Sequence, residues 1–262
     1  MGRSQLTKKE LADIRTFLNR KTAELNRPEF IEADPISVPH LFSGKEDREI
    51  AGFFAATIAW GFRPTIVRNG MRLMERMSHA PHEFVMNAGP KDLKNLETFV
   101  HRTFNGQDLV AFVLCLRNLY TNHGGLEKVF TKALKEQGNM LDAITQFRAE
   151  FFAYKHPKRT EKHISDPAKQ SSAKRINMFL RWMVRRDSCG VDFGIWKGIK
   201  MSELYIPLDV HVGTVARSLD ILKTKTDGRK AVEELTGVLR TFDPADPVKY
   251  DFALFGLGIN KA

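Results

Sequence analysis

Residues 108–154, DLVAFVLCLRNLYTNHGGLEKVFTKALKEQGNMLDAITQFRAEFFAY, decide the fold class. Apolar residues recur there at helical spacing in three runs. The first, Asp108–Tyr120, ends before Gly124-Gly125; the second, Leu126–Gln137, ends at Gly138; the third is Met140–Tyr154. Glycine just past a periodic run is a helix stop, because it enters the left-handed conformation without a Cβ clash. No strand-like alternation separates the runs, which predicts an all-α fold rather than βαβ units.

The same grammar continues on both sides. Thr7 and Glu10 form a capping-box pattern ahead of Leu11, Ile14, Leu18 and Leu25, and Ser43 with Glu46 repeats it before Ile50, Phe53, Phe54 and Ile58, with a stop near Gly61. Pro64 opens a helix whose Ile66, Val67, Met71, Leu73, Met74 and Met77 form an apolar face, and Leu93–Val100 predicts another. Residues 156–170, with Pro157 and Pro167, read as a loop. Ser171 or Ser172 then caps a helix with Ile176, Phe179, Leu180 and Met183 towards the core, so that Lys174, Arg181 and Arg185 are expected on a solvent-facing stripe. Residues 187–205 are irregular; helices are expected from Asp209 to Leu222, over Lys230–Arg240, and from Asp246-Pro247 onward. The expected organisation is a single helical domain over 1–262, with a central lobe of about residues 46–186 and a second lobe built from 1–45 and 187–262.

A chain of 262 residues buries a sizeable core without staples. The two cysteines, Cys115 and Cys189, form no CxxC or Cys/His cluster, so neither a disulfide framework, a zinc finger nor an iron–sulfur cluster is expected, and a reducing cytoplasmic setting fits. Met1–Glu10 is polar and Gly2 lacks myristoylation spacing, so export is not expected. The apolar stretch Ile50–Phe62 falls short of the roughly 20 residues a bilayer requires, and no membrane partner is expected.

The net charge is +10, and Lys155–Arg186 holds ten basic residues against Glu161 and Asp166. Such a concentration attracts a polyanion by counterion release. It makes Lys158, Arg159, Lys162, Lys169, Arg175, Arg181 and Arg185 candidates for nucleic-acid contact. Two further residues carry candidate chemistry. Neighbouring cations turn a lysine into a nucleophile by lowering its pKa, and Lys174 precedes Arg175, Arg181 and Arg185. Asp209, at a helix start, is held ionised by backbone N–H groups and suits the stabilisation of positive charge developing on a sugar; the same position also suits a plain N-cap.

Pro207-Leu208-Asp209-Val210-His211-Val212 and the residues to Leu219 resemble the V-D-T-H-V-x-R-V-x-x-R-L stretch of the helix-hairpin-helix DNA glycosylase superfamily, relatives of endonuclease III and 8-oxoguanine glycosylases. Glu49–Met77 resembles the superfamily's early helices, and Ser172-Ala173-Lys174-Arg175 resembles the position of its lysine nucleophile. Asp209 follows Lys174 by 35 residues without a Gly-x-Gly before the lysine, a spacing nearest in style to the archaeal 8-oxoguanine glycosylases. More closely, the chain resembles an uncharacterised bacterial family in the segments Arg181–Arg185, Pro207–Val212 and Phe242–Gly258. The superfamily resemblance implies a two-lobed helical architecture and a base-excision repair glycosylase with AP-lyase activity acting on double-stranded DNA. Lys174 would be the nucleophile, Asp209 its partner, and Trp60, Phe62 and Trp196 candidates for the base pocket or wedge. No cofactor or metal is implied. A non-catalytic nucleic-acid binder, a packing or protein-binding role, and a metal-dependent nuclease using Asp187, Asp192, Asp209 and His211 are the rival readings.

Overall fold

The computed structural model describes residues 6–259; Met1–Gln5, including Gly2 and half of the polar N-terminal stretch, lie outside the described residues. The chain is predominantly helical. Its α-helices are α1 (Lys8–Leu25), α2 (Glu29–Glu32), α3 (Lys45–Thr57), α4 (Arg63–Arg76), α5 (Pro81–Asn87) and α6 (Pro90–Leu96), followed by α7 (Gly106–His123), α8 (Leu126–Gln137), α9 (Met140–Phe151), α10 (Lys174–Val184), α11 (Val210–Ser218), α12 (Arg229–Phe242) and α13 (Asp251–Ile259). Local chemistry accounts for many of these boundaries. The Thr7–Glu10 capping box opens α1, Asn105 and Asp108 form another at α7, and Gly124 and Gly138, both at φ 76°, close α7 and α8.

Several expectations are corrected. The helix predicted over Leu93–Val100 stops at Leu96, and Val100–His101 pairs antiparallel with Phe104–Asn105 across a turn where Arg102 has a φ of 54°. The β-favouring Val100 and Phe104 take the short hairpin instead, with Arg102 in the left-handed conformation turning the chain between them. Gly44, not Ser43, is the N-cap of α3, which ends at Thr57 rather than near Gly61. The 156–170 segment is ordered into 3-10 turns at Lys158–His163 and Pro167–Lys169. Neither Ser171 nor Ser172 caps α10: Ala173 holds that position at φ 47°, and the Ser171 hydroxyl accepts from the Ala173 N–H. At the C-terminal end, Asp246-Pro247 starts a 3-10 turn, and α13 begins at Asp251.

One continuous apolar cluster runs from Leu18 to Leu254. At its centre the Phe53 ring meets Phe112, Phe147, Phe151 and Phe179 at centroid separations of 5.4–5.9 Å. Helix α3 packs on α10 and α8 on α9, while α1 and α11 both pack on α13. The α11–α13 approach requires Gly258, where a Cβ would sit 2.8 Å from the His211 Cβ. That close approach sets the start of α11 beside α13, and both helices open onto the cavity described next. No helix among the described residues is long and apolar enough to cross a membrane.

Candidate functional site

Lys174 is the first residue of α10, and Asp209 is the N-cap of α11 with an extended backbone. A carboxylate at that position accepts from the helix's unpaired N–H groups, and Oδ1 of Asp209 does so from His211 N at 3.0 Å and Val212 N at 3.1 Å. Its other oxygen, Oδ2, is thereby turned to face Lys174, 3.6 Å from Nζ. That distance exceeds the 2.7–2.9 Å of a tight charge-assisted bond. The two side chains retain 23% and 22% of their exposure, so the pair is held loosely and remains accessible. Besides Asp209, the amine has the Met178 sulfur at 3.6 Å and the Phe255 ring at 5.8 Å.

Both residues line one cavity of about 810 Å³. Its walls include Phe30, Trp60, Phe62 and Phe255; its charged lining adds Asp34, Arg63, Arg175, Arg181 and Asp251. Phe62 is 72% exposed and stands where α4 begins, whereas Trp60 is half-buried. Trp60 is pinned: the Arg175 guanidinium lies 4.8 Å from its ring, His163 stacks at 6.0 Å, and its carbonyl contacts His101 Nε2 at 3.3 Å. Arg175 also donates to the Thr57 carbonyl, and burial pushes its guanidinium down to about 10.

The acidic residues of the cavity are perturbed by burial. Asp251 is pushed up to about 6 by desolvation, against the opposing fields of Arg181 and Lys174. Asp34 is likewise raised by burial, against the Ile36 N–H and the charges of Arg181, Arg63 and Lys174. Asp34 and Asp251 were not singled out from the sequence. Their signals were present in Asp34-Pro35, a short helix start, and in the Tyr250-Asp251-Phe252 segment of the C-terminal signature.

Other predicted residues fall elsewhere. Trp196 is fully buried, its indole donates to Glu49 Oε1 at 2.7 Å, and its ring packs on Phe130 and Phe179; it belongs to the core rather than a base pocket or wedge. The irregular segment carrying it is tied to the end of α10, with Phe193 N bonded to Trp182 O and Trp196 N to Met183 O. The expected solvent-facing stripe on α10 is also corrected. Arg181 and Arg185 are each 3% exposed. Arg181 binds Asp192 and Asp251, and Arg185 binds Asp187, Asp192 and Asp246. Burial opposes the charge of Arg185, but its carboxylates together hold the pKa above the ordinary value. These two arginines are internal counterions, unavailable to a polyanion outside; Arg181 still reaches the cavity lining.

Within the basic window, Lys158, Lys162 and Lys169 remain exposed, with Lys158 paired to Glu161 at 2.7 Å. Arg159 is engaged by Asp108, Asn105 and the Thr103 carbonyl. The set proposed for a nuclease is not assembled: Asp187 and Asp192 are spent on Arg181, Arg185 and Asn26, while Asp209 and His211 stand at the cavity. Among the described residues no group of three or more His, Cys, Asp or Glu is placed to hold a metal ion.

Residues 34–260 match the family described as "protein of unknown function (DUF2400)", and the chain belongs to that family. No curated protein and no solved structure matches it.

Proposed function

We propose that this member of the family is a DNA base-excision glycosylase with AP-lyase activity, built on the two-lobed helical plan of the helix-hairpin-helix glycosylases. The observation that carries the reading is the meeting of Lys174 Nζ and Asp209 Oδ2, 35 residues apart in sequence, on the wall of an aromatic-lined cavity. Its volume of about 810 Å³ is ample for an extruded nucleobase.

In this mechanism the base leaves the duplex stack and enters between the aromatic walls, where Trp60 offers a fixed ring. Lys174 attacks the sugar anomeric carbon while the C–N glycosidic bond breaks and its electron pair departs with the base. Asp209, its Oδ1 held by two backbone N–H donors, offsets positive charge on the sugar and is the nearest carboxylate to receive the proton that the amine loses. Opening of the sugar ring gives a Schiff base to Lys174, which permits elimination of the 3′ phosphate and strand cleavage. The exposed Lys158, Lys162 and Lys169 would hold backbone phosphates by charge.

Borohydride trapping tests the reading. Reduction in the presence of duplexes carrying an abasic site or a damaged base is expected to join protein and DNA covalently through Lys174. Retained DNA affinity with no adduct on any such duplex would replace this reading with a non-catalytic binder.

A further inference from the structure

Among the described residues, Arg63 is the one cation of the cavity lining whose side chain makes neither a hydrogen bond nor an ion pair. Phe62, 72% exposed, marks the rim of the cavity, and Arg63 follows it as the half-buried first residue of α4. The Arg63 guanidinium lies over the Phe255 ring at 5.0 Å, and Lys174 Nζ stands 5.8 Å from the same centroid. A ring face orients a cation but supplies no counter-charge. Asp34 feels the charges of Arg63 and Lys174 but bonds to neither, and burial disfavours its ionised form. Arg175 has the same deficit: it donates to the Thr57 carbonyl and lies on Trp60, with no carboxylate partner. Lys174 and Arg181, by contrast, face Asp209 and the Asp192–Asp251 pair of acids. Among the described residues the cavity therefore holds two cations without a carboxylate partner, and desolvating such a charge is costly until an anion arrives.

Resting on the glycosylase reading, we propose that Arg63 binds a phosphate flanking the extruded nucleotide, with the unpaired charge of Arg175 adding to the attraction. The anion is a phosphodiester because Lys174 addresses the sugar. The phosphates on either side of a nucleotide lie about one sugar's width from its anomeric carbon, and Arg63 stands beside Lys174 on the shared Phe255 ring. A guanidinium is a planar fork of N–H donors that matches phosphate oxygens in pairs. None of the Arg63 donors is spent on another described residue, so the contact breaks no internal bond. It anchors the backbone at the rim while base and sugar enter, a task separate from that of Lys158, Lys162 and Lys169, which lie outside the cavity lining.

The experiment uses the full chain and a duplex carrying a tetrahydrofuran abasic analogue, which cannot form a Schiff base. One phosphate at a time is replaced by an uncharged methylphosphonate, either beside the analogue or several nucleotides away, and affinity is measured. In the wild type, neutralising one flanking phosphate is expected to weaken binding by at least about 10-fold. In Arg63→Gln that penalty should shrink to less than about 3-fold, and Arg63→Lys should restore part of it. A distant replacement should cost wild type and variant the same; an arginine that merely propped up the fold would not single out one linkage. Wild-type indifference to both flanking linkages, or an undiminished penalty in Arg63→Gln, would overturn the assignment. So would thermal protection by inorganic phosphate through Arg63 without any linkage penalty, which would make the ligand a free phosphate. Borohydride trapping at a true abasic site judges the glycosylase reading separately. A penalty without trapping leaves Arg63 as a phosphate contact of a non-catalytic binder, and trapping without a penalty leaves the glycosylase reading without this contact.

Discussion

Helix α10 carries two acid–base clusters of similar composition and opposite character. At its first residue, Lys174 faces Asp209 at 3.6 Å with about a fifth of each side chain exposed. Towards its other end, Arg181 and Arg185, each 3% exposed, are bound by Asp187, Asp192, Asp246 and Asp251. The contrast separates chemistry from scaffolding. In that network each buried arginine is bound by more than one carboxylate, which commits both cations to internal partners. At the open end the single pair is long, one carboxylate oxygen is held by backbone donors, and both groups border space. Buried cations shared among several carboxylates hold the chain in place; partial exposure with a single long pair leaves groups able to exchange partners with a substrate.

Substitution at the two ends is expected to divide accordingly. Lys174→Ala should abolish the borohydride adduct and lower strand cleavage by at least about 10³-fold, while urea unfolding shifts by less than about 1 kcal/mol. A substantial adduct in this variant would move the nucleophile elsewhere. Arg181→Met should do the reverse to stability: stranding Asp251 and half of the Asp192 pairing costs about 3–5 kcal/mol, read from the unfolding midpoint. A variant as stable as the parent would show that the network is not the scaffold described above.

Asp209→Asn preserves the cap, since asparagine is an equally good N-cap, but removes the charge facing Lys174. A loss of about 10²-fold in base release with an unchanged melting temperature is expected. If instead stability falls and rate does not, Asp209 is a cap and nothing more.

A pH effect sharpens the closed side of the comparison. His163, behind Trp60, is pushed down to about 4, chiefly by burial and against the pull of Asp108. Its folded pKa lies below the ordinary 6.5, so the unfolded chain binds the proton more readily. The stability it contributes is therefore full above pH 6.5 and is lost as the pH falls towards 4. Denaturant unfolding at pH 7.5 and pH 5 should differ by about 2 kcal/mol more in the wild type than in His163→Gln. The smallest expected effect is at the exposed lysines: Lys162→Gln or Lys169→Gln should each reduce the slope of log affinity against log salt by about 0.9 for a duplex, without changing which sequence is preferred.

Much of the helix order was legible because capping and stop signals act over three or four residues. The Thr7–Glu10 box, the glycines after α7 and α8, and Asp209 at the start of α11 all sit as their local chemistry requires. The candidate site was legible in part. Lys174 and Asp209 were visible as residue types in suggestive positions, but Asp34 was not singled out, and Trp196 in its glycine-flanked segment stood as a candidate for the base pocket or wedge. The basic window misled most. Arg181 and Arg185 read as a surface stripe because sequence spacing reports which residues share a helix face, not what covers that face.

Helical class, the run of caps and stops, and the charge excess follow from neighbours along the chain, since backbone geometry and side-chain size act at short range. The fate of each charge does not. Whether an arginine meets solvent or a carboxylate 70 residues away, as Arg181 meets Asp251, and whether Asp34 and Asp209 border the same space, depends on how α10, α11 and α13 pack. Desolvation and Coulomb energies depend on distance through space, and only close packing of the helices sets those distances.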